Sequence, residues 1–158
     1  MTSTIAFPPI PGSLVPPPTH VLALETHATG VQIYECRVSK DNPAHFEWVF
    51  VSPEATLVDN AGVTVAKHYA GPTWEAIDGS KVVGEVKARD DGPDAKAIPW
   101  LLLSAKSTSG SGMLNRTTFV QRVNTIGGKA PMDCASTQAG AELRVPYEAK
   151  YNFYVAKP

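Results

Sequence analysis

The chain has 158 residues, 43% hydrophobic and 18% charged, with a formal net charge of −1. That length suits one domain with a substantial core, and the interspersed charges exclude the basic stripe of a nucleic-acid binder or a polybasic membrane ligand. Fourteen Pro and twelve Gly leave no room for a long helix, and the longest apolar run, residues 100–103, is far too short to span a bilayer.

Residues 1–19 read as an extended arm. Pro8, Pro9, Pro11, Pro16, Pro17 and Pro18 forbid both helix and sheet ladder, while Ile5, Phe7, Ile10 and Leu14 are apolar anchors for it. The single domain is expected over residues 20–158. Residues 20–26 alternate, Thr29-Gly30 is read as a turn, and residues 30–38 form the clearest early strand, with Val31 and Ile33 opposite Gln32, Tyr34 and Cys36. Asp41-Asn42-Pro43 turns the chain into a strand over residues 45–51. Phe46, Trp48 and Phe50 share one face of it and Val49 and Val51 lie on the other, which predicts a central strand ended by Ser52-Pro53.

Strands over residues 55–58 and 63–69 flank Asp59-Asn60-Ala61-Gly62, a turn where left-handed conformations are cheap. The middle of the chain joins a Gly71-Pro72 bend, a Trp74-Glu75 pair and an Asp78-Gly79-Ser80 turn. Asp-Gly between two alternating runs is a strong hairpin signal, here between residues 73–77 and 81–88. A polar loop at residues 89–94 precedes a buried strand over 98–105. Residues 107–112, rich in Ser and Gly, read as a flexible loop or a lid over a pocket. Strands over 117–125 and 145–155 complete the pattern, the last with Tyr147, Ala149, Tyr151 and Phe153 on one face. About eight to ten short strands with turn signals between them predict an all-β fold, a single-domain antiparallel β-barrel or β-sandwich with a Pro-rich N-terminal arm.

Cys36 and Cys134 are the only cysteines and lack metal spacing. They form a disulfide in an oxidising compartment; in a reducing one they are buried thiols, or else one of them is a nucleophile. The first residues lack the basic and apolar regions of an export signal. Localisation stays open between the cytoplasm and secretion after removal of a leader. Asn115-Arg116-Thr117 matches a glycosylation triplet, a pattern that arises by chance.

Four motifs stand in order. The first is Gly30-Val31-Gln32-Ile33-Tyr34-Glu35-Cys36, and the second His68-Tyr69-Ala70-Gly71-Pro72-Thr73-Trp74-Glu75 with Asp78-Gly79-Ser80. The third is Arg122-Val123-Asn124-Thr125-Ile126-Gly127-Gly128-Lys129-Ala130-Pro131 with Cys134, and the fourth Val145-Pro146-Tyr147-Glu148-Ala149-Lys150-Tyr151-Asn152-Phe153-Tyr154. Together they resemble a family of small bacterial and fungal proteins catalogued as a domain of unknown function, many with export signals. The resemblance implies a single β domain, commonly secreted, with Cys36 and Cys134 bridged. It implies no reaction.

His20, His27, His45 and His68 do not fall at metal spacing, so no metal is expected. A Gly-x-Ser-x-Gly elbow is missing, and Gly127-Gly128-Lys129 lacks the hydroxyl residue of a phosphate loop. No cofactor is expected. His68 is read as a general base or polar anchor at a pocket mouth, or else as a hydrogen-bonded clamp within the turn. Trp74, Tyr69, Trp48, Trp100 and Tyr151 are candidate aromatic walls for a ligand, and equally candidate core. Arg122 sits mid-strand; facing inward, it would need Glu47, Glu75 or Glu35 as partner. His68, Glu75 and Arg122 are thus the candidate catalytic groups. Adjacent residues on a regular strand point to opposite faces, so Trp74 and Glu75 face inward together only if a bulge intervenes. The expected function is binding of a small hydrophobic or aromatic molecule in a β-barrel, extending to a cofactor-independent cyclase or isomerase. The alternative is an exported module that binds glycans or proteins.

Overall fold

The computed structural model describes residues 7–158. Ile5, the first expected anchor of the arm, lies outside them. Nine strands are present among the described residues: β1 (His20–Val38), β2 (Phe46–Val58), β3 (Thr64–Tyr69), β4 (Thr73–Ala76), β5 (Lys81–Asp90), β6 (Trp100–Ser109), β7 (Thr117–Gly127), β8 (Asp133–Cys134) and β9 (Glu142–Ala156). They form one antiparallel sheet in the order β1-β9-β7-β6-β5-β4-β3-β2-β8. Because β1 also pairs with β2, eight strands close into a barrel-like ring, with β8 attached outside it along β2. The fold is all-β. Closure removes the free edges that an open sheet would expose.

Period-2 alternation decides which residues fill the ring. Ala28, Leu57, Ala66, Trp74, Ala76, Val82, Leu103, Val120, Tyr147, Ala149, Tyr151 and Phe153 belong to one buried cluster. A second, smaller cluster lies on the outer face of β6 and β7, where Leu14 packs against Trp100, Leu102 and Val123 with Phe7, Ala88 and Phe119 around them. Leu14 is the keystone there, fully buried in a short 3-10 turn over Gly12–Leu14. Its carbonyl accepts a hydrogen bond from Gln121 Nε2 at 2.8 Å, and Gln121 Oε1 in turn accepts from Asn152 Nδ2 at 2.9 Å.

The structure corrects three local expectations. First, Thr29-Gly30 is not a turn, because β1 runs unbroken through it. Gly30 is instead the point of closest approach to β2, where a Cβ would collide with the Glu54 carbonyl oxygen and Ala55. A glycine inside a strand marks just such a contact. Second, Pro53 does not end its strand. It pairs with Gln32 of β1 on one side, and pairing with β3 begins only at Ala55, so its missing N–H leaves no ladder bond unmade on the other. For the same reason β2 is not central around Phe50 and Val51, which are 49% and 47% exposed, whereas Phe46 and Glu47 pair with β1 on one side and β8 on the other. Third, residues 107–109 belong to β6 and pair with Val83, Val82 and Lys81. The loop after them folds onto the Asp78–Ser80 turn, where Asp78 Oδ2 accepts from the Met113 amide at 2.8 Å and Ser80 Oγ from the Leu114 amide at 3.0 Å.

The two hairpin turns read from Asp59-Asn60-Ala61-Gly62 and Asp78-Gly79-Ser80 are present. Gly62 and Gly79 take φ of 82° and 89°, conformations that cost an L side chain energy. Asp59 Oδ1 accepts from the Ala61 and Val63 amides, and Asp78 Oδ1 from the Ser80 amide and hydroxyl. Cys36 and Cys134 are joined by a disulfide, with Cα atoms 6.1 Å apart. It ties β1 to the segment carrying β8.

Candidate functional site

A cavity of about 330 Å³ lies within one part of the ring, with Gln32 of β1, residues 50–53 of β2, His68, the Gly71-Pro72 bend, Trp74, Leu101, Leu103, Arg122 and Tyr151 among its lining. That volume is within the range of small-molecule sites. Phe50, Val51 and Val86 also line it and are half exposed (49%, 47% and 55%), so the rim is apolar.

The β3–β4 hairpin builds one wall. Its turn is short because Tyr69 pairs with Thr73 across Ala70, Gly71 and a cis Pro72, and Thr73 Oγ1 donates to the Ala70 carbonyl at 2.8 Å. His68 and Trp74 are therefore directly opposite on the ladder, with rings stacked at 4.4 Å and 11°. Tyr151 of β9 closes against both, 5.1 Å from the imidazole and 5.5 Å from the indole. Gly84 of β5 makes room for this arrangement; a Cβ there would stand 3.0 Å from the Trp74 ring.

His68 Nδ1 lies 2.8 Å from the Thr73 carbonyl oxygen. A carbonyl only accepts, so Nδ1 carries the proton and Nε2 keeps a free lone pair. Burial drives the imidazolium pKa down from 6.5 to about 3; the bond to Thr73 opposes this and the positive charge of Arg122 adds to it. His68 is thus neutral at physiological pH. Burial likewise raises the Tyr147 and Tyr34 phenols, and Arg122 pulls both back. The Tyr147 and Tyr151 hydroxyls lie 3.1 Å apart.

Arg122 is the one cation among the residues lining the cavity. Its Nε and Nη2 donate to the Pro99 carbonyl at 3.0 and 2.7 Å. Among the described residues it makes no ion pair, and none of Glu35, Glu47 and Glu75 reaches it. Glu35 instead pairs with Arg37, and Glu75 lies on the outer face of β4, accepting from the Tyr69 hydroxyl at 2.7 Å between Lys67 and Lys81. The tyrosine bond and the two lysines hold the Glu75 carboxyl below its usual range.

The structure therefore brings His68, Trp74, Arg122 and Tyr151 to one cavity and places the other candidates elsewhere. No bulge interrupts β4, so Glu75 points away from Trp74, and Tyr69 joins it outside. Trp100 is buried beneath the arm, its ring 6.3 Å from that of Phe7. Trp48 is half buried on β2 opposite Cys36, away from the lining. Sequence reasoning missed Gln32, Leu101 and Leu103. Alternation alone does mark Leu101 and Leu103 as one face, but which face is inward depends on ring closure. Gln32 is only 3% exposed, and its Oε1 has no partner among the described residues; neither does the Trp74 indole N–H. No group of three or more His, Cys, Asp or Glu among the described residues could hold a metal ion.

Residues 16–155 match the family DUF3455, described as a protein of unknown function. The chain belongs to DUF3455. All four motifs fall within the matched region, as do the cavity and both cysteines. No curated protein and no solved structure matches this DUF3455 chain. No helix among its described residues is long and apolar enough to cross a membrane.

Proposed function

We propose that this DUF3455 protein binds a small, largely hydrophobic molecule within its ring of strands. The observation that carries the reading is the cavity of about 330 Å³ walled by Trp74, Tyr151, Leu101 and Leu103, with Gln32, His68 and Arg122 as its polar points. Apolar walls with a few placed polar groups are the ordinary make-up of a ligand site. Binding is favoured over turnover because a base whose conjugate acid has a pKa of about 3 removes protons poorly at neutral pH. Cyclisation or isomerisation of the bound molecule is the further form of the same reading, with His68 Nε2 and Arg122 as the groups that would act.

The test is a tryptophan-fluorescence titration with 1-naphthol and with maltohexaose, in the native protein and in Leu101→Trp, which fills the cavity from a lining position. Saturable binding of 1-naphthol that Leu101→Trp abolishes supports the proposal. A response to maltohexaose alone, or naphthol binding that survives the filled cavity, overturns it and favours a surface that binds glycans or proteins.

A further inference from the structure

We propose that the ligand is an amphipathic anion, an apolar or aromatic body with a carboxylate or similar oxyanion head, and that Arg122 receives the head. The inference rests on the cavity being a ligand site. Its starting point is charge. Eight ion pairs of Lys or Arg with a carboxylate are formed among the described residues, and Arg122 takes part in none. Its Nε and Nη2 are held by the Pro99 carbonyl, an uncharged acceptor, which leaves Nη1 and the second Nη2 hydrogen without a partner among the described residues. A guanidinium has five donors and no acceptor, so the unused ones seek an oxygen.

The surroundings sharpen the point. Arg122 is part-buried beside Leu101 and Tyr151, its ladder neighbours on either side. The cavity lining includes no Asp or Glu, and His68 across the cavity is neutral at physiological pH. The wall therefore holds one formal positive charge with no negative group set against it. A cation taken partly out of water without a partner costs free energy, and an incoming oxyanion offsets that cost with charge-assisted, fork-shaped hydrogen bonds. Two further buried groups lining the same cavity are left open. The Trp74 indole N–H is a pure donor, which an oxyanion suits, and Gln32 Oε1 is an acceptor, which calls instead for a donor on the ligand; neither has a partner among the described residues. Most of the remaining lining, including Leu103, Val51 and Val86, is apolar and accounts for the body of the ligand, with Ser52 and His68 the further polar residues.

The experiment compares isosteric pairs that differ only in the head: 2-naphthoate with 2-naphthamide, and decanoate with decanamide, titrated by calorimetry at neutral pH. The expected result is that each carboxylate binds about tenfold or more tighter than its amide. Arg122→Gln should bring the two within about twofold, chiefly by weakening the carboxylate. Because Arg122 also anchors the Pro99 segment, a melt checks that the variant folds; the native protein's preference and the Arg122 guanidinium Nη signals in nitrogen-15 spectra give the answer without any variant. Equal binding of carboxylate and amide overturns the anion proposal and leaves the hydrophobic site standing. A carboxylate preference that survives in Arg122→Gln, or an Arg122 signal unmoved at saturation, also overturns it. Absence of binding by both members of each pair up to about 1 mM overturns this proposal together with the binding reading beneath it.

Discussion

Protonation of His68 should destabilise the fold, and by an amount that the structure sets. The folded-state pKa is about 3 against 6.5 for the free side chain, because the imidazole is buried against Trp74 and Tyr151. Between those values the unfolded chain binds a proton that the folded chain refuses, so stability rises with pH and falls as the solution is acidified. The full contribution is present above 6.5. Each unit below it costs about 1.4 kcal/mol, which makes the loss about 2 kcal/mol between about pH 7 and about pH 5. The assay is urea unfolding followed by tryptophan fluorescence at several pH values, for the native protein and for His68→Gln. Subtracting the variant's profile cancels the other titrating groups. The acids held below their normal range, Glu25, Glu75 and Asp78, act mainly below the window in any case. Parallel profiles in the two proteins would refute the reasoning, because they would mean that the imidazole takes up its proton without unfolding.

Three further outcomes are expected. Replacing Cys36 and Cys134 together by Ser opens a loop with a sequence separation of 98 and should lower stability by about 4 to 5 kcal/mol in the chain-entropy model, read from urea midpoints; an unchanged midpoint would count against the bridge. Gly30→Ala should cost about 3 kcal/mol or more, since its Cβ meets β2 backbone, whereas Gly12→Ala, with open space around it, should stay within about 0.5 kcal/mol. Equal melting temperatures for the two variants would show that β1 and β2 do not approach as described. Glu75→Gln keeps the oxygen that Tyr69 donates to and lies outside the cavity, so 2-naphthoate affinity should remain within about twofold of the native value; a larger loss would place Glu75 in the site after all.

Much of the fold is legible in the sequence because it rests on local rules. Alternation marks β7 and β9, and the Asx-Gly turns after Val58 and Ala76 place two hairpins. What misleads are the residues with two physical meanings. Gly30 signals a turn when read locally, yet here it permits two strands to touch. Pro53 signals a strand end, yet it is harmless where one side of the strand has no partner. Ser107, Thr108 and Ser109 have linker composition, but the β5 ladder recruits them into β6. In each case the deciding contact comes from a segment far away in the chain. Trp100 fails as a ligand wall for the same reason: nothing near it in sequence says that Leu14 covers it.

The site depends on one more non-local property, the order of strands around the ring. Read cyclically, that order is β1-β9-β7-β6-β5-β4-β3-β2, which sets β7 and β3 four steps apart in both directions. Arg122 and His68 are therefore on opposing sides of the lumen, 54 positions apart in sequence (122 − 68), and the charge of Arg122 is felt at His68 across the interior. Strand length then determines where the lumen opens. β3 and β4 have only six and four residues, against nineteen in β1 and fifteen in β9. The wall is low at that hairpin, so its Gly71-Pro72 bend borders the cavity and β2 runs past the end of β3 with β1 as its partner on the other side, presenting Phe50 and Val51 at the rim. A longer β3–β4 hairpin would extend pairing along β2 toward those two residues and raise the wall. The shortness of the His68–Trp74 hairpin is thus what keeps the inward faces of β3 and β7 within reach of a ligand from outside.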